Sequence, residues 1–354
     1  MKHCHELGRK RGMTENKVYI IMVNWNGWQD TIECLESVLR NHYKNYRVIV
    51  CDNGSEDGSL EKIKQWAVGA IPAYCEANAC IQLYTQPPIT KPLQYIEYDR
   101  IQAEQGGTLG NDPQLILIRI GANLGFAGGN NVGMRYALAR NDFEYVWLLN
   151  NDTVIEADAL VNLVVRLREH RKYGICGSTL LYYDQPFRVQ GLGGAKYNKW
   201  LGTCKHIGID QLFSGKINEN VIERKIDYII GASMLVSKSF LTDVGLLTED
   251  YFLYFEEIDW TVRCKNQYSL IYASRSLVFH KAGRSMASGR IQGKRKSYIA
   301  DYYTVKNRIL FTKRYFPYAL GTVYLGFFTV IFNRLRHFQW DRVIMMIKIA
   351  VNGL

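Results

Sequence analysis

The sequence has 354 residues, enough for one large α/β domain with an appendage or for two modest domains. Hydrophobic residues make up 47% and charged residues 22%, a balance that is typical of globular proteins and excludes wholesale disorder. The eight cysteines form no CxxC pair, and Cys34 and Cys51 lie inside apolar segments. We therefore expect reduced, buried thiols and a reducing, cytoplasmic compartment.

The net charge of +11 is concentrated at one end of the chain. The last 74 residues carry 14 Lys/Arg and two Asp/Glu, whereas the 280 residues before them have a net charge of −1. Apolar runs at 318–332 and 343–351 alternate with this basic charge, and the longer run falls short of the roughly 20 residues that span a bilayer. We expect a helical region over 281–354 that lies on an anionic membrane surface, peripheral on the inner face of the cell membrane. Packing of these helices on the rest of the chain is the alternative.

Two further features limit the possible partners. Residues 1–17 are polar and basic, without the apolar core of a signal peptide, and predict a flexible tail. No RNA-binding signature accompanies the basic charge, so we expect no nucleic-acid partner.

Strands and helices alternate along the first half of the chain. Apolar, β-branched runs predict strands at 18–23, 46–51, 115–120 and 145–149, with helices at 31–40, 59–68, up to residue 140 and at 156–170. Residues 69–113 hold five of the seven prolines without clear periodicity and predict an insertion. Short helices near 240–244 and 260–266 and strands at 269–272 and 277–279 follow. The fold class is therefore α/β, with a Rossmann-like mixed sheet flanked by helices and ligands bound at the carboxyl ends of the strands.

Asp52 ends the second predicted strand and begins the segment Asp52-Asn53-Gly54-Ser55. A carboxylate at this place can accept hydrogen bonds from a nucleobase N–H or a ribose hydroxyl. The same four residues also make a good turn, which is the structural alternative.

Residues 121–131 form a glycine-rich segment between a predicted strand and a predicted helix. Glycines allow the backbone to approach a ligand, and a helix N-terminus favours an anionic phosphate. The segment lacks the Lys-Ser/Thr of a P-loop and the spacing of a dinucleotide-binding motif, which argues against kinases and dehydrogenases. A tight turn without ligand is the alternative.

Asn150-Asn151-Asp152 follows directly on an apolar strand. Asn and Asp oxygens are hard ligands suited to Mg²⁺ or Mn²⁺, which would bridge a diphosphate. The alternative is that Asp152 caps the helix predicted to follow.

A second acidic cluster contains Glu256, Glu257 and Asp259 among aromatic residues. Crowding and partial burial raise carboxylate pKa values, which suits a general base. A solvated acidic helix start is the alternative. His280 follows an apolar strand and is either a metal ligand or a buried core histidine.

In this order the segments resemble the inverting family-2 glycosyltransferases of GT-A fold, especially the rhamnosyltransferase-like branch. The motifs that carry the resemblance are Val23-Asn24-Trp25-Asn26, Val50-Cys51-Asp52-Asn53-Gly54-Ser55, Asn123-Leu124-Gly125-Phe126-Ala127-Gly128-Gly129-Asn130, Leu149-Asn150-Asn151-Asp152, Phe255-Glu256-Glu257-Ile258-Asp259 and His280-Lys281-Ala282-Gly283. The resemblance implies a GT-A catalytic domain over 18–280, with the insertion inside it.

The resemblance also implies the role of each motif residue. The nucleoside-diphosphate sugar donor would be bound by Val23, Asn24, Asp52, Asn123, Gly125, Gly129, Asn130 and Asn151. Asn150, Asp152 and His280 would hold Mg²⁺ or Mn²⁺. Glu257 would deprotonate the acceptor hydroxyl, with Glu256 as a neighbour and Asp259 as a rival base.

Two departures from the family pattern refine the expected function. Asn150 stands where a strict DXD motif has its first acid, and Glu257 stands where many relatives carry Asp, which keeps Asp259 as a rival base. The QxxRW motif of processive synthases is also absent. We therefore expect a nonprocessive, inverting, metal-dependent hexosyltransferase that moves a sugar, with rhamnose as the first guess, to a glycan or lipid-linked glycan acceptor. The alternatives are a nucleotidyltransferase acting on a sugar phosphate and a nonenzymatic nucleotide-sugar-binding module.

Overall fold

The computed structural model describes residues 16–75, 78–108, 110, 112–169, 172–264, 267–281 and 297–351. The predicted tail therefore lies outside the described residues except at its end. There, Lys17 forms ion pairs of 2.8 Å with both Asp112 and Asp142, which fasten the start of the first strand to the domain.

Thirteen strands are present among the described residues. They are β1 (Val18–Asn24), β2 (Tyr46–Asp52), β3 (Tyr95–Asp99), β4 (Leu115–Arg119), β5 (Tyr145–Leu149), β6 (Thr153–Ile155), β7 (Tyr173–Tyr182), β8 (Val189–Leu192), β9 (Gly194–Asn198), β10 (Thr203–His206), β11 (Tyr228–Ile229), β12 (Ser233–Ser237) and β13 (Ser269–His280). Ten of them form one mixed sheet, in the order β3-β4-β2-β1-β5-β12-β7-β13-β6, with β8 paired to β7. A small second sheet has the order β10-β9-β11.

The helices cover both faces of the large sheet. They are α1 (Trp28–Val38), α2 (Ser59–Ala67), α3 (Ala79–Thr85), α4 (Arg100–Glu104), α5 (Gly125–Arg140), α6 (Ala159–Leu167), α7 (Glu219–Glu223), α8 (Lys238–Val244), α9 (Glu256–Arg263), α10 (Tyr298–Tyr315), α11 (Leu320–Arg336) and α12 (Trp340–Val351). The central strands are buried on both faces because their side chains are apolar in nearly every position. The predicted mixed sheet flanked by helices is therefore confirmed.

The structure differs from the expected elements in two places. The predicted insertion 69–113 contains α3, β3 and α4, and β3 extends the large sheet as an edge strand parallel to β4. This strand is only five residues long and closely follows Pro87, Pro88 and Pro92, so its pattern is hard to detect. The two late predicted strands are one strand, β13, whose pairing with β7 has an irregularity between Ala273 and Leu277, where the two predicted strands are separated.

The C-terminal helices form a small core of their own. It consists of Val305, Ile309, Val323, Phe327, Met345 and Met346. Helix α10 also packs on the large core through Phe311, which is fully buried. Within the described residues, one segment (Pro317–Arg336) is long and apolar enough to cross a membrane by length and composition alone.

Candidate active site

A cavity of about 1430 Å³ lies at the carboxyl ends of the parallel strands β1, β2 and β5 and is closed by the small sheet and α10. Ten of the fourteen predicted site residues line it: Val23, Asn123, Gly125, Asn130, Asn150, Asn151, Asp152, Glu256, Glu257 and His280. The other four, Asn24, Asp52, Gly129 and Asp259, lie behind this surface. The strand ends and the second acidic cluster, which the sequence separates by about a hundred residues, therefore meet in one place.

Asn24 and Asp52 support the floor of the cavity from within the protein. The Asn24 amide donates hydrogen bonds to Asp52 Oδ1 at 2.9 Å and to Ser55 Oγ at 3.0 Å. The Ser55 N–H lies 3.4 Å from Asp52 Oδ2, so the turn that the sequence predicted also exists. Asp52 is 4% exposed. Trp25, which follows Asn24, and Asn53, which follows Asp52, reach the cavity instead, and sequence reasoning did not single them out.

The glycine-rich segment is held by side-chain amides. Asn53 donates to Asn123 Oδ1 at 3.0 Å and to the Gly125 carbonyl at 3.1 Å. Gly125 has a φ of +71°, and a Cβ there would lie 2.2 Å from the carbonyl oxygen of Phe252. Glycine is therefore required at this position, because the segment packs directly on the loop before the second acidic cluster.

Gly129 fulfils a different need. It lies in α5 where a Cβ would stand 2.8 Å from Val23 Cγ1. The absent side chain lets the helix approach β1 closely, and the role of Gly129 in donor binding stays a prediction.

Asp152 and His280 meet because β6 pairs antiparallel with β13, which sets Thr153 opposite His280. His280 Nε2 lies 3.1 Å from Asp152 Oδ1 and 3.4 Å from Asn150 Nδ2. The segment after Asp152 is a strand, and the next helix begins at Ala159, so the alternative of Asp152 as a helix cap is wrong.

Gln190 sets the orientation of the His280 ring, a role that sequence reasoning missed. Its Oε1 lies 2.7 Å from His280 Nδ1, so Nδ1 donates and, in the neutral imidazole, Nε2 carries the lone pair. That lone pair and Asp152 Oδ1 are then two acceptors facing each other, an arrangement that suits a shared cation.

The donor set fits a hard divalent cation. Groups of three or more His, Cys, Asp or Glu suited to a metal do not occur among the described residues. Asp152 and His280, with Asn150 beside them, would therefore be a partial set, and Mg²⁺ or Mn²⁺ commonly takes its remaining ligands from phosphate oxygens and water.

Lys281 fixes the end of β13 beside this group. Its Nζ lies 2.6 Å from Asp30 Oδ1 and 2.6 Å from Glu33 Oε2, and its backbone N–H donates to the Asp152 carbonyl at 3.0 Å. The ammonium is almost fully buried between the two carboxylates of α1, which hold its pKa above the ordinary value in spite of the burial.

Glu256 and Glu257 begin α9 at the opposite wall of the cavity. Glu256 is 2% exposed, so the alternative of a solvated helix start is wrong for this residue. Burial raises the pKa of Glu257 to about 7, and burial together with the Glu257 charge raises that of Glu256 well above its usual range. Gly231 leaves room for the Glu257 carboxylate, since a Cβ there would lie 2.4 Å from Oε1. Of the two, Glu257 is the one suited to exchange a proton near neutral pH.

The loop before α9 has an unusual backbone. Phe252, Tyr254 and Phe255 have φ values of 58°, 66° and 78°, which cost energy in residues that carry a Cβ. Asn307 on α10 holds this loop: its amide donates to the carbonyl oxygens of Tyr251 at 2.7 Å, Leu253 at 2.7 Å and Tyr254 at 3.0 Å.

Asp259 faces the protein interior. It is fully buried and accepts hydrogen bonds from Thr248 Oγ1 at 2.5 Å, Arg263 Nε at 2.7 Å and the Tyr315 hydroxyl at 2.5 Å. Asp259 stands two residues after Glu257 on a helix, so the two side chains point in different directions. Its contacts are those of a structural anchor.

The model of the family "Glycosyl transferase family 2" matches residues 19–76 and 99–245. The chain therefore belongs to glycosyl transferase family 2. The family match omits residues 77–98, which lie within the predicted insertion.

One curated relative is the low-salt glycan biosynthesis hexosyltransferase Agl10 of Haloferax volcanii. It is 29% identical over 148 residues, which are 42% of this chain and 45% of the relative. The chain thus spans less than half the length of that relative.

Two solved structures share the fold. The mannosyltransferase PcManGT of Pyrobaculum calidifontis, in complex with GDP-Man and Mn²⁺, has a TM-score of 0.51 at 14% identity, covering 99% of this chain and 93% of its own. GalNAc-T7 with UDP, GalNAc and Mn²⁺ has a TM-score of 0.52 at 13% identity, covering 83% and 47%. The expected GT-A fold is confirmed.

Proposed function

We propose that this chain is a nonprocessive, inverting, metal-dependent glycosyltransferase. It moves a sugar from a nucleoside-diphosphate sugar to a hydroxyl of a glycan or lipid-linked glycan acceptor. The observation that carries the proposal is that one cavity holds a cation-binding group (Asp152 with His280) and a carboxylate with a pKa near 7 (Glu257). Rhamnose is the first sugar to test, because the sequence motifs resemble that branch most.

The donor would lie along the strand ends. Val23, Asn123, Asn130 and Asn151 reach the cavity there and offer amide groups and an apolar surface to the nucleoside and sugar, while Asn24 and Asp52 stiffen the wall. A cation bound by Asp152 and His280 would offset the charge of the leaving diphosphate. The relatives of known structure were solved with Mn²⁺, which supports this assignment.

Glu257 acts on the acceptor. Its carboxylate accepts the proton of the acceptor hydroxyl, and the oxygen attacks the anomeric carbon from the side opposite the diphosphate. A new C–O bond forms as the bond to the diphosphate breaks, and the diphosphate leaves with the electron pair. Attack from the opposite side inverts the anomeric configuration.

We place the protein at the cytoplasmic face of the membrane, held by α11 and α12. Three exposed residues follow one face of α11 (Leu325, Phe328 and Phe332) and three follow one face of α12 (Trp340, Ile344 and Ile347). The opposite faces pack on α10, so each helix has an inner and an outer apolar side. Exposed Arg336 and Lys348 flank the outer side and suit anionic lipid headgroups.

Flotation with vesicles tests the membrane assignment. The protein should float with phosphatidylglycerol vesicles and less with phosphatidylcholine vesicles, and Phe328→Ser with Trp340→Ser should weaken flotation. Protein that resists carbonate extraction from cells would instead favour a membrane-spanning role for Pro317–Arg336.

A donor screen tests the activity. Purified protein would be incubated with each nucleotide-sugar and Mn²⁺ or Mg²⁺, with and without EDTA, and scored for slow hydrolysis and thermal stabilisation. Asp152→Ala should lose metal-dependent donor binding, whereas Glu257→Gln should keep binding and lose transfer. Donor binding without hydrolysis, unaffected by Glu257→Gln, would favour a nonenzymatic binding module and contradict the proposal.

A further inference from the structure

Arg308 is a cationic side chain in the cavity, and the proposed glycosyl transfer gives it no role. It lies on α10 directly after Asn307 and lines the same cavity as Glu257 and Cys204. Among the residues that the structure describes, no carboxylate pairs with its guanidinium, and its Nε is buried without a hydrogen-bond partner. Burial lowers its pKa from the ordinary value.

Three other arginines near the C-terminal helices are paired. Arg263 contacts Asp259 at 2.7 Å, Arg314 contacts Asp250 at 2.6 Å, and Arg334 contacts Asp301 at 2.9 Å. Arg308 is half-buried, and a cation that loses part of its hydration without a counter-charge is destabilised. An anionic ligand that enters the cavity would supply the missing partner.

The side chain is held in place from two sides. A Cβ on Gly202, in the turn between β9 and β10, would lie 2.5 Å from Arg308 Cγ, so the glycine makes room for the arginine stem. On the other side, Arg308 Cζ lies 5.2 Å from the ring centre of Phe327 on α11. The stem is therefore fixed, and the charged end borders the cavity.

Asn307 and Cys204 show which end of the cavity Arg308 occupies. Arg308 directly follows Asn307, whose amide donates to the Tyr254 carbonyl at 3.0 Å, three residues before Glu257. Cys204, two residues after the Gly202 that makes room for Arg308, lines the same cavity as Glu257. Arg308 thus lies on the side of the proposed base, where the acceptor enters, rather than among the strand-end residues that would bind the donor.

We propose that Arg308 binds an oxyanion carried by the acceptor, either a phosphate or a sugar carboxylate, so that the enzyme selects anionic acceptors. The proposal rests on the proposed function, because it takes the Glu257 side as the acceptor side. The planar guanidinium fork matches both oxyanions through two parallel N–H donors. Neutral acceptors would leave Arg308 unpaired and would bind more weakly.

Three probes with the same alkyl chain separate the possibilities: octyl phosphate, octyl glucuronide and neutral octyl glucoside. Their binding to the full chain would be measured by calorimetry below their micelle concentrations, in EDTA so that no metal recruits phosphate. We expect one charged probe to bind at least about tenfold more tightly than the glucoside. The preferred probe tells a phosphate from a carboxylate.

Variants of Arg308 test whether this side chain causes the preference for the charged probe. Arg308→Met keeps an unbranched apolar side chain but removes the guanidinium, and it should bring the charged probe down to the affinity of the glucoside. Arg308→Lys keeps the charge without the fork and should give an intermediate affinity. Lys306→Gln, which removes a positive charge from the same helix, should leave the preference unchanged.

The proposal is overturned if the wild-type protein does not prefer either charged probe, or if Arg308→Met and Arg308→Lys both retain the preference. Donor binding with Mn²⁺, measured in parallel, distinguishes failure of the Arg308 proposal from failure of the proposed glycosyltransferase function. Arg308→Met should bind the donor within about twofold of the wild type, since it lies away from the strand ends. Loss of donor binding in every protein, wild type included, would contradict the proposed function instead.

Discussion

The side-chain amide of Asn307 donates a hydrogen bond of 3.0 Å to the carbonyl oxygen of Tyr254, three residues before Glu257. Asn307 is fully buried, and the same amide also reaches the carbonyls of Tyr251 and Leu253. Three carbonyl oxygens around one amide nitrogen require the NH₂ group to face them, because an oxygen there would be repelled. A helix from the basic C-terminal region thus holds the backbone that places the proposed base.

Replacing Asn307 should impair catalysis more than donor binding. Without its hydrogen bonds the left-handed loop at Tyr254 relaxes, and Glu257 moves relative to the cavity. We expect Asn307→Ala to lower kcat about tenfold to a hundredfold, with little change in the donor KM. If Asn307 had a purely structural role, Asn307→Ala would lower the melting temperature but would leave the pH dependence of kcat/KM unchanged. Asn333→Ala, at an exposed asparagine, is the matched control.

The rate should rise with pH through about 7. Glu257 accepts a proton only when ionised, and burial raises its pKa to about 7, so the base is inactive below that value. A profile of kcat/KM against pH should show this acid limb, and Glu257→Gln should remove both the limb and most of the rate. A limb near pH 4.5 would contradict the assignment.

The same carboxyl should make stability fall as pH rises. The folded protein binds the Glu257 proton more tightly than the unfolded chain, so between about pH 4.5 and pH 7 the folded state holds more protons. The contribution to the free energy of unfolding is therefore lost progressively across that window. Urea unfolding of the wild type and of Glu257→Gln should differ in slope against pH there, and parallel curves would count against the raised pKa.

Asp259→Asn should destabilise the protein without the signature of a lost base. The Asp259 carboxylate pairs with Arg263 and accepts hydrogen bonds from Thr248 and Tyr315. Removing its charge should lower the free energy of unfolding by about 3 kcal/mol. Asp250→Asn is the control, since Asp250 is 60% exposed and its ion pair with Arg314 contributes little. A stable but inactive Asp259→Asn variant would return Asp259 to the role of rival base.

Gln190→Leu should weaken metal binding without touching a proposed ligand. Loss of the 2.7 Å hydrogen bond frees the His280 ring and its tautomer, and such changes cost about 10- to 100-fold in metal affinity. Titration of Mn²⁺ by electron paramagnetic resonance measures the effect directly, independently of turnover. Gln185→Leu, at the same cavity wall, should bind Mn²⁺ as the wild type does.

Much of the candidate site was predictable because the change from apolar to polar residues marks the end of a buried strand. Apolar runs interrupted by Asp52 and by Asn150 identify buried strands and their polar carboxyl ends. Parallel pairing of β1 with β2 and with β5 then brings these ends to the same edge of the sheet. Of the residues predicted there, Asp52 nevertheless turned inward, since Asn24 and Ser55 occupy its oxygens.

Other parts of the site could not be predicted from local patterns. Asn150 and His280 are 130 residues apart, and only the pairing of β6 with β13 brings them together. Asn307 and Arg308 stand in an ordinary helical stretch, where neither an asparagine nor an arginine is unusual. Their importance depends on which loop and which cavity α10 meets.

The sequence by itself determined the class of fold, the central strands and the motifs of the family, because burial on both faces and polar strand ends are properties of short segments. The tertiary structure alone decided that Glu256 and Glu257 line the cavity while Asp259 faces the interior, and that α10 closes the site. These choices depend on contacts between distant segments, whose free energies come from packing and burial that no local pattern records.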